Sequence, residues 1–265
     1  MTHAALLEAT EVGIAFGGVQ ALKNVSLTIN SGDAYGLIGP NGAGKTTLVN
    51  CLSRTFSHNT GSITFRDESI DKLLPEHLTG RGLARTFQHV HLFTELTVLE
   101  NVLVGAHHTG TVKTFSYALR LPRARKETKV RTAEAMETLN ALGLAGLADQ
   151  RVDQLPFPQQ RRVDIARALA SKPKLLLLDE PAAGLNDAEA DALATMISDL
   201  KEQVGLEAFL LIEHHVDMVM SLCTRIAVLD FGEKIADDTP AGVRTNRAVL
   251  EAYLGATAED GAANE

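Results

Sequence analysis

With 265 residues, 45% of them hydrophobic, the chain can bury a substantial core; it is long for one compact domain and short for two independent ones. Its formal net charge of −8 gives no general attraction to nucleic acid, which excludes DNA and RNA as expected partners. Cys51 and Cys223 lie far apart without metal-ligand spacing, so reduced, packed thiols are predicted rather than a disulfide framework.

The segment Met1 to Gly13 has no basic start followed by an apolar stretch and a cleavage site, so no signal peptide is expected. Between Leu6 and Phe65, short β-like runs alternate with turn signals: Val25 to Ile29 alternates, Asn30-Ser-Gly-Asp turns, and Ser62 to Phe65 runs again. This reads as the edge of a mixed sheet. Tyr35-Gly-Leu-Ile reads as a short buried strand, and Lys45-Thr-Thr-Leu-Val-Asn-Cys-Leu as the start of a helix. From about Val90 to Gln154 the character is helical. Ala124 to Leu142 places Val130, Ala133, Leu139 and Leu142 on one face before Gly143 stops the helix.

Leu175 to Leu178 is a continuous apolar run, as expected for a parallel strand buried on both faces. Asn186 with Glu189 forms a capping-box-like start, followed by Leu193, Met196, Ile197, Leu200 and Val204 at helical spacing, and Ala208 to Ile212 is a further apolar strand. These runs fall far short of the roughly 20 residues that cross a bilayer, so any membrane role is expected to be peripheral. The alternation of strands and helices argues an α/β fold with ligand at the C-terminal ends of parallel strands. Lys113 to Arg131 holds seven basic residues against one acidic, Glu127, a solvated helix face or a surface attracted to anionic membrane. Residues 255–265 are small and acidic and are expected to be disordered.

Residues 39 to 46, Gly-Pro-Asn-Gly-Ala-Gly-Lys-Thr, match the phosphate-cradling pattern G-x-x-x-x-G-K-[ST] in full. Gly39, Gly42 and Gly44 allow successive N–H groups to converge on a phosphate, which would sit on the N-terminus of the following helix. The nucleotide contacts expected here are Gly39, Pro40, Asn41, Gly42, Ala43, Gly44, Lys45, Thr46 and Thr47. Lys45 is expected to reach the β- and γ-phosphates of ATP and the Thr46 hydroxyl to bind Mg²⁺. Leu175-Leu-Leu-Leu-Asp-Glu-Pro ends a buried strand with two carboxylates. Asp179 fits as a Mg²⁺ partner through water, and Glu180 as the group that orients and deprotonates the attacking water.

The order of these motifs resembles the nucleotide-binding subunit of ATP-binding cassette (ABC) transporters over residues 6–254. The resemblance implies an α/β, P-loop NTPase fold with a mixed β-sheet core, an antiparallel β edge and a helical subdomain. Within that single domain, 6–89 and 155–254 form the core with its β edge and 90–154 the helical subdomain. It also implies roles. Phe16 stands where an aromatic stacks on adenine; Gln88 stands where a glutamine serves the metal and the reaction and links the site to the helical subdomain. His214 stands where a histidine touches the γ-phosphate, and Ala182-Ala-Gly-Leu-Asn where a loop crosses the dimer interface. His89, His91, His107, His108 and His215 have no such place and are assigned to surface or packing.

Leu92-Phe-Thr-Glu-Leu-Thr-Val-Leu-Glu-Asn-Val, Glu180-Pro-Ala-Ala-Gly-Leu-Asn, Val228-Leu-Asp-Phe-Gly-Glu-Lys-Ile-Ala and Leu250-Glu-Ala-Tyr-Leu-Gly are most similar to the branched-chain amino acid uptake branch. Branches moving urea or other amides share much of the pattern. The branch implies a bacterial importer with two ATPase subunits, two membrane permeases and an external substrate-binding protein, this chain sitting at the cytoplasmic face of the inner membrane. One departure stands out. Where the family carries Leu-Ser-Gly-Gly-Gln, this chain has Leu155-Pro-Phe-Pro-Gln159. Pro156 replaces the hydroxyl and Pro158 replaces the final glycine without an N–H, so slow hydrolysis and an asymmetric heterodimer with one competent site are expected, a homodimer being the alternative.

Overall fold

The computed structural model describes residues 5–88, 90–107 and 122–253. Its strands are β1 (Ala5–Phe16), β2 (Val19–Asn30), β3 (Ala34–Ile38), β4 (Thr60–Phe65), β5 (Glu68–Ser69), β6 (Leu83–Arg85), β7 (Leu175–Asp179), β8 (Ala208–Ile212), β9 (Arg225–Asp230) and β10 (Glu233–Asp238). The helices are α1 (Lys45–Leu52), α2 (Pro75–Arg81), α3 (Val98–Gly105), α4 (Pro122–Ala141), α5 (Phe157–Leu169), α6 (Asp187–Gln203), α7 (Val216–Leu222) and α8 (Pro240–Thr245). Residues 247–253 are also helical. The acidic tail, residues 113–121 of the basic stretch, His89 and His108 lie outside the described residues. No helix among the described residues is long and apolar enough to cross a membrane.

The chain divides into two compact units, one from the described parts of 1–78, 177–180 and 207–265, the other from those of 79–176 and 181–206. In the first, Gly17 and Gly18 have φ of 52° and 89° and close the β1–β2 hairpin, as a type I′ turn needs φ > 0 at both central residues. The antiparallel strands make a sheet of their own, ordered β2-β1-β4-β5. Val25, Leu27 and Ile29 are buried along β2 while Ser26 and Thr28 are half-buried, which is the alternation read from the sequence.

β3 lies between β8 and β9, parallel to both, in the order β10-β9-β3-β8-β7. Every residue of β3 and β8 is buried, as strands covered on both faces require. A Cβ at Gly36 would stand 2.5 Å from Val219 Cγ1, so its absence lets α7 pack directly on β3. Cys51 in α1 and Cys223 at the end of α7 are both free and buried. The result for function is positional. The C-terminal ends of β3, β8 and β7, neighbours in one sheet, carry the glycine-rich loop, His214 and Glu180 respectively.

In the second unit, α3, α4 and α5 pack on one another. Thr97 and Glu100 start α3 with a capping box, and Asn186 with Glu189 starts α6 with another, the latter as the sequence predicts. The face expected on α4 is corrected: Leu139 and Leu142 are buried, but Val130 and Ala133 are exposed, and Ala135 is the residue that joins the buried row. At about 100° per residue, Ala133 points about 200° away from Ala135, whereas Ala135, Leu139 and Leu142 follow the i, i+4, i+7 stripe. On α6, Leu193, Ile197 and Leu200 are buried as their spacing predicts.

Arg161, 2% exposed, is the polar hub of this unit. Its guanidinium donates to the carbonyls of Phe87 and Gln88 at 3.1 and 3.0 Å and lies 5.5 Å from the Phe157 ring centroid. The start of α5 is thereby tied to the loop holding Gln88. Arg161→Ala is expected to destabilise the protein by about 2–4 kcal/mol, because it strips two carbonyls of their donor and leaves the space of a large buried side chain. Urea unfolding measures this, and a loss within about 0.5 kcal/mol of wild type would contradict it.

Candidate functional site

Gly39, Gly42 and Gly44 have φ of 151°, 77° and 100°, conformations in which side-chain-bearing residues are strained. A Cβ at Gly39 would stand 2.1 Å from the carbonyl oxygen of Leu229, so the loop's first residue is a glycine for lack of room as well. Gly44 caps α1, and no side chain bonds to that helix end, leaving the backbone amides of Lys45, Thr46 and Thr47 for an anion. Pro40, Asn41 and Ala43 complete the curve, with Asn41 exposed and Ala43 buried.

Lys45 is 5% exposed, and its ammonium donates to the carbonyls of Gly39 and Pro40 at 2.7 and 2.9 Å. Burial lowers its pKa, and the negative charge of Glu180 opposes that fall. A buried ammonium held by neutral carbonyls gains strongly from a phosphate in reach. Asp179, 2% exposed, ends β7, while Thr46 is exposed at the head of α1. A carboxylate and a hydroxyl are the oxygen donors that suit Mg²⁺, which keeps several waters and takes the rest of its shell from phosphates.

Glu180 is 7% exposed and holds φ 47°, a left-handed conformation that costs about 1–3 kcal/mol in a residue other than glycine. Its N–H donates to Ile212 at 2.9 Å, which binds the β7 end to the β8 end. One carboxylate oxygen lies 2.8 Å from Nε2 of His214, whose side chain is 47% exposed. The Glu180 carboxylate can only accept in this contact, so it is the Nε2–H of His214 that donates to it. The structure thus brings Lys45, Asp179, Glu180 and His214 into one unit with the glycine-rich loop.

Phe16 is exposed at the β1–β2 turn and meets Phe56 edge to face, with centroids 5.4 Å apart. Phe56 was not singled out from sequence; its signal is an exposed aromatic in the connection between α1 and β4. Gln88 belongs to the second unit, where it is exposed and gives its carbonyl to Arg161. His91, His107 and His215 sit outside this cluster, His215 capping α7. In the basic stretch, Lys126 and Lys129 are exposed and Arg131 donates to Leu103.

The departing motif lies at the head of α5 in the second unit. Pro156 is the cap residue, Pro158 sits in the first turn, and the Gln159 and Gln160 amides turn back to Pro156 O at 2.9 and 3.1 Å. Proline is comfortable there and the helix is intact. What is reduced is the supply of outward donors. The Phe157 ring packs on the backbone of Gly184, where a Cβ would come within 3.2 Å of Phe157 Cε1, so the motif touches the loop that follows β7.

Comparison with known proteins shows the family. The profile of the ABC transporter family matches residues 22–183, and that described as branched-chain amino acid ATP-binding cassette transporter matches 233–259. The chain is 40% identical over 250 residues to the high-affinity branched-chain amino acid transport ATP-binding protein LivG of Salmonella typhimurium, covering 94% of this chain and 98% of that protein. It is 37% identical over 250 residues to BraF of Pseudomonas aeruginosa, a protein of the same description, with the same coverage. The fold is similar to the ADP conformation of MJ1267, an ATP-binding cassette of an ABC transporter, at TM-score 0.81 and 30% identity, covering 95% of this chain and 99% of that one.

Proposed function

Since the chain belongs to the ABC transporter family and is an ATP-binding, ATP-hydrolysing cassette, we propose that it energises an importer of branched-chain or related amino acids. The match of residues 233–259 to the branched-chain amino acid group is the observation that carries the substrate class. The amino acid itself would not touch this chain. Permeases would hold it at the cytoplasmic face of the inner membrane, with an external binding protein delivering the cargo.

In the proposed reaction the loop amides and Lys45 would hold the β- and γ-phosphates, and Thr46, Asp179 and Gln88 are the residues that would hold the metal. Bound Mg²⁺ would neutralise charge developing between the phosphates. Glu180 accepts the proton of the attacking water, and His214 fixes that carboxylate through the 2.8 Å bond and meets the γ-phosphate. Phe16 stacks on adenine. A second ATPase subunit closes over this site with its own Ser-Gly-Gly donors, and the head of α5 in turn faces the nucleotide held by that subunit.

Pro158 has no N–H, so the partner's nucleotide is met by a donor-poor motif, whereas this chain's own site is completed by the partner. We therefore infer an asymmetric heterodimer. The same motif favours a second reading, a regulatory subunit that closes on ATP with little turnover. The deciding measurement is ATP turnover by the purified chain alone and mixed with its cognate partner ATPase, with and without permeases. Turnover only in the mixture is expected; binding without turnover in both samples would leave the regulatory reading.

A further inference from the structure

The connection between α1 and β4 is fastened at both ends of the nucleotide site. The chain leaves α1, the helix whose head faces the phosphates, through Arg54 at φ 58°, and the Phe56 N–H then donates to the Asn50 carbonyl at 3.0 Å. The loop is thereby folded against the helix end. Three residues on, Asn59 ties the same loop to β1: its N–H donates to the Gly13 carbonyl at 2.8 Å, and its Oδ1 accepts from the Ala15 N–H at 2.8 Å. Ala15 is the chain neighbour of Phe16. Between these anchors, His58 sets its ring nitrogens 2.9 Å from the Asp71 carboxylate and 3.0 Å from the Thr60 carbonyl.

This frame presents two phenyl rings as a pair. Phe16 and Phe56 meet with centroids 5.4 Å apart and planes at 68°, the edge-to-face arrangement that ring quadrupoles favour. The pair covers no core, since 47% of Phe16 and 36% of Phe56 stay open to solvent. A lone exposed phenylalanine needs no explanation, whereas two adjoining rings on an anchored loop form an apolar surface fit for a flat ligand. Phe16 is followed by Gly17 and Gly18, which have no side chains to brace its ring. Phe56 supplies that brace.

We propose that Phe56 is a positioning residue of the base subsite: its ring sets the plane that Phe16 offers to the purine, and its loop links that platform to the helix that receives the phosphates. Stacking uses the π-face that every base has, so Phe56 serves ATP and GTP alike and contributes nothing to the phosphate contacts. The inference rests on the reading of Phe16 as the adenine platform and adds a residue to it.

The test uses the full chain with three magnesium-loaded probes: ATP, GTP and tripolyphosphate, which carries the phosphates without a base. Phe56→Leu stays apolar and loses the ring; its Kd for ATP and GTP is expected to rise about fivefold, roughly 1 kcal/mol, while that for tripolyphosphate stays within about twofold. Phe56→Tyr keeps the ring and should bind all three as wild type does; a loss equal to that of Phe56→Leu counts against the proposal. Equal weakening toward all three probes in Phe56→Leu would show a role in the fold around α1, and unchanged ATP affinity would show that Phe16 needs no brace; either overturns the proposal. Should Phe56→Leu not fold, Phe16→Trp decides, because the chain has no tryptophan and the indole then reports the platform alone. Its anisotropy in apo protein is expected to show restricted local motion, and free rotation overturns the proposal. A Phe16→Leu protein whose ratio of ATP to tripolyphosphate Kd values equals that of wild type would instead overturn the reading of Phe16 as the platform.

Discussion

Glu180→Gln is expected to lower ATP turnover by a factor on the order of 10²–10⁴ while leaving ATP binding intact. The change keeps size and a hydrogen-bonding oxygen for His214, so the 2.8 Å contact can persist in altered form. What it removes is the capacity to take a proton from water. Lys45→Ala provides the contrast, since it deletes the buried ammonium inside the loop and should abolish binding and turnover together. Nucleotide titration beside steady-state turnover separates the two. Equal loss of binding in both variants would show that Glu180 shapes the site rather than the chemistry, and full turnover in Glu180→Gln would remove it from the mechanism.

Restoring the missing donors is the second large effect. Pro156→Ser combined with Pro158→Gly returns a hydroxyl and an N–H to the head of α5, and one preorganised donor to a developing phosphate charge is commonly worth about 10²–10³ in rate. In a heterodimer this gain should appear only at the nucleotide held by the partner. The clean assay therefore uses a partner active at its own site, paired with this chain carrying Glu180→Gln to silence the other. An increase of the stated order supports the asymmetric arrangement. ATP affinity and turnover both unchanged would sink it, because proline would then be no handicap at that position.

The phosphate loop, the tips of β7 and β8, and the capping box at Asn186 were legible because each is a local pattern: the glycines demand their φ values, the all-apolar runs demand two covered faces, and Asn186 and Glu189 satisfy each other within one turn. The α4 face was misjudged because Val130 and Ala133 are apolar without belonging to the stripe that meets α3 and α5. Apolar character alone does not report the angle. Phe56 and Arg161 stayed hidden for a different reason. Each acts across a large sequence separation, Phe56 on the ring of Phe16 and Arg161 on the carbonyls of Phe87 and Gln88, and distant partners leave no trace in the letters.

The two cysteines have a practical consequence for attaching a reporter to the cassette. Burial pushes the Cys51 thiol up to about 11 and that of Cys223 to about 12, and the side chains are sealed at 0% and 6% exposure. Neither supplies much thiolate near neutrality or a path for a bulky reagent. The native chain is therefore a silent background for maleimide chemistry, and a single cysteine placed at a surface position such as Phe231 can carry a fluorophore or spin label without any prior substitution in the core.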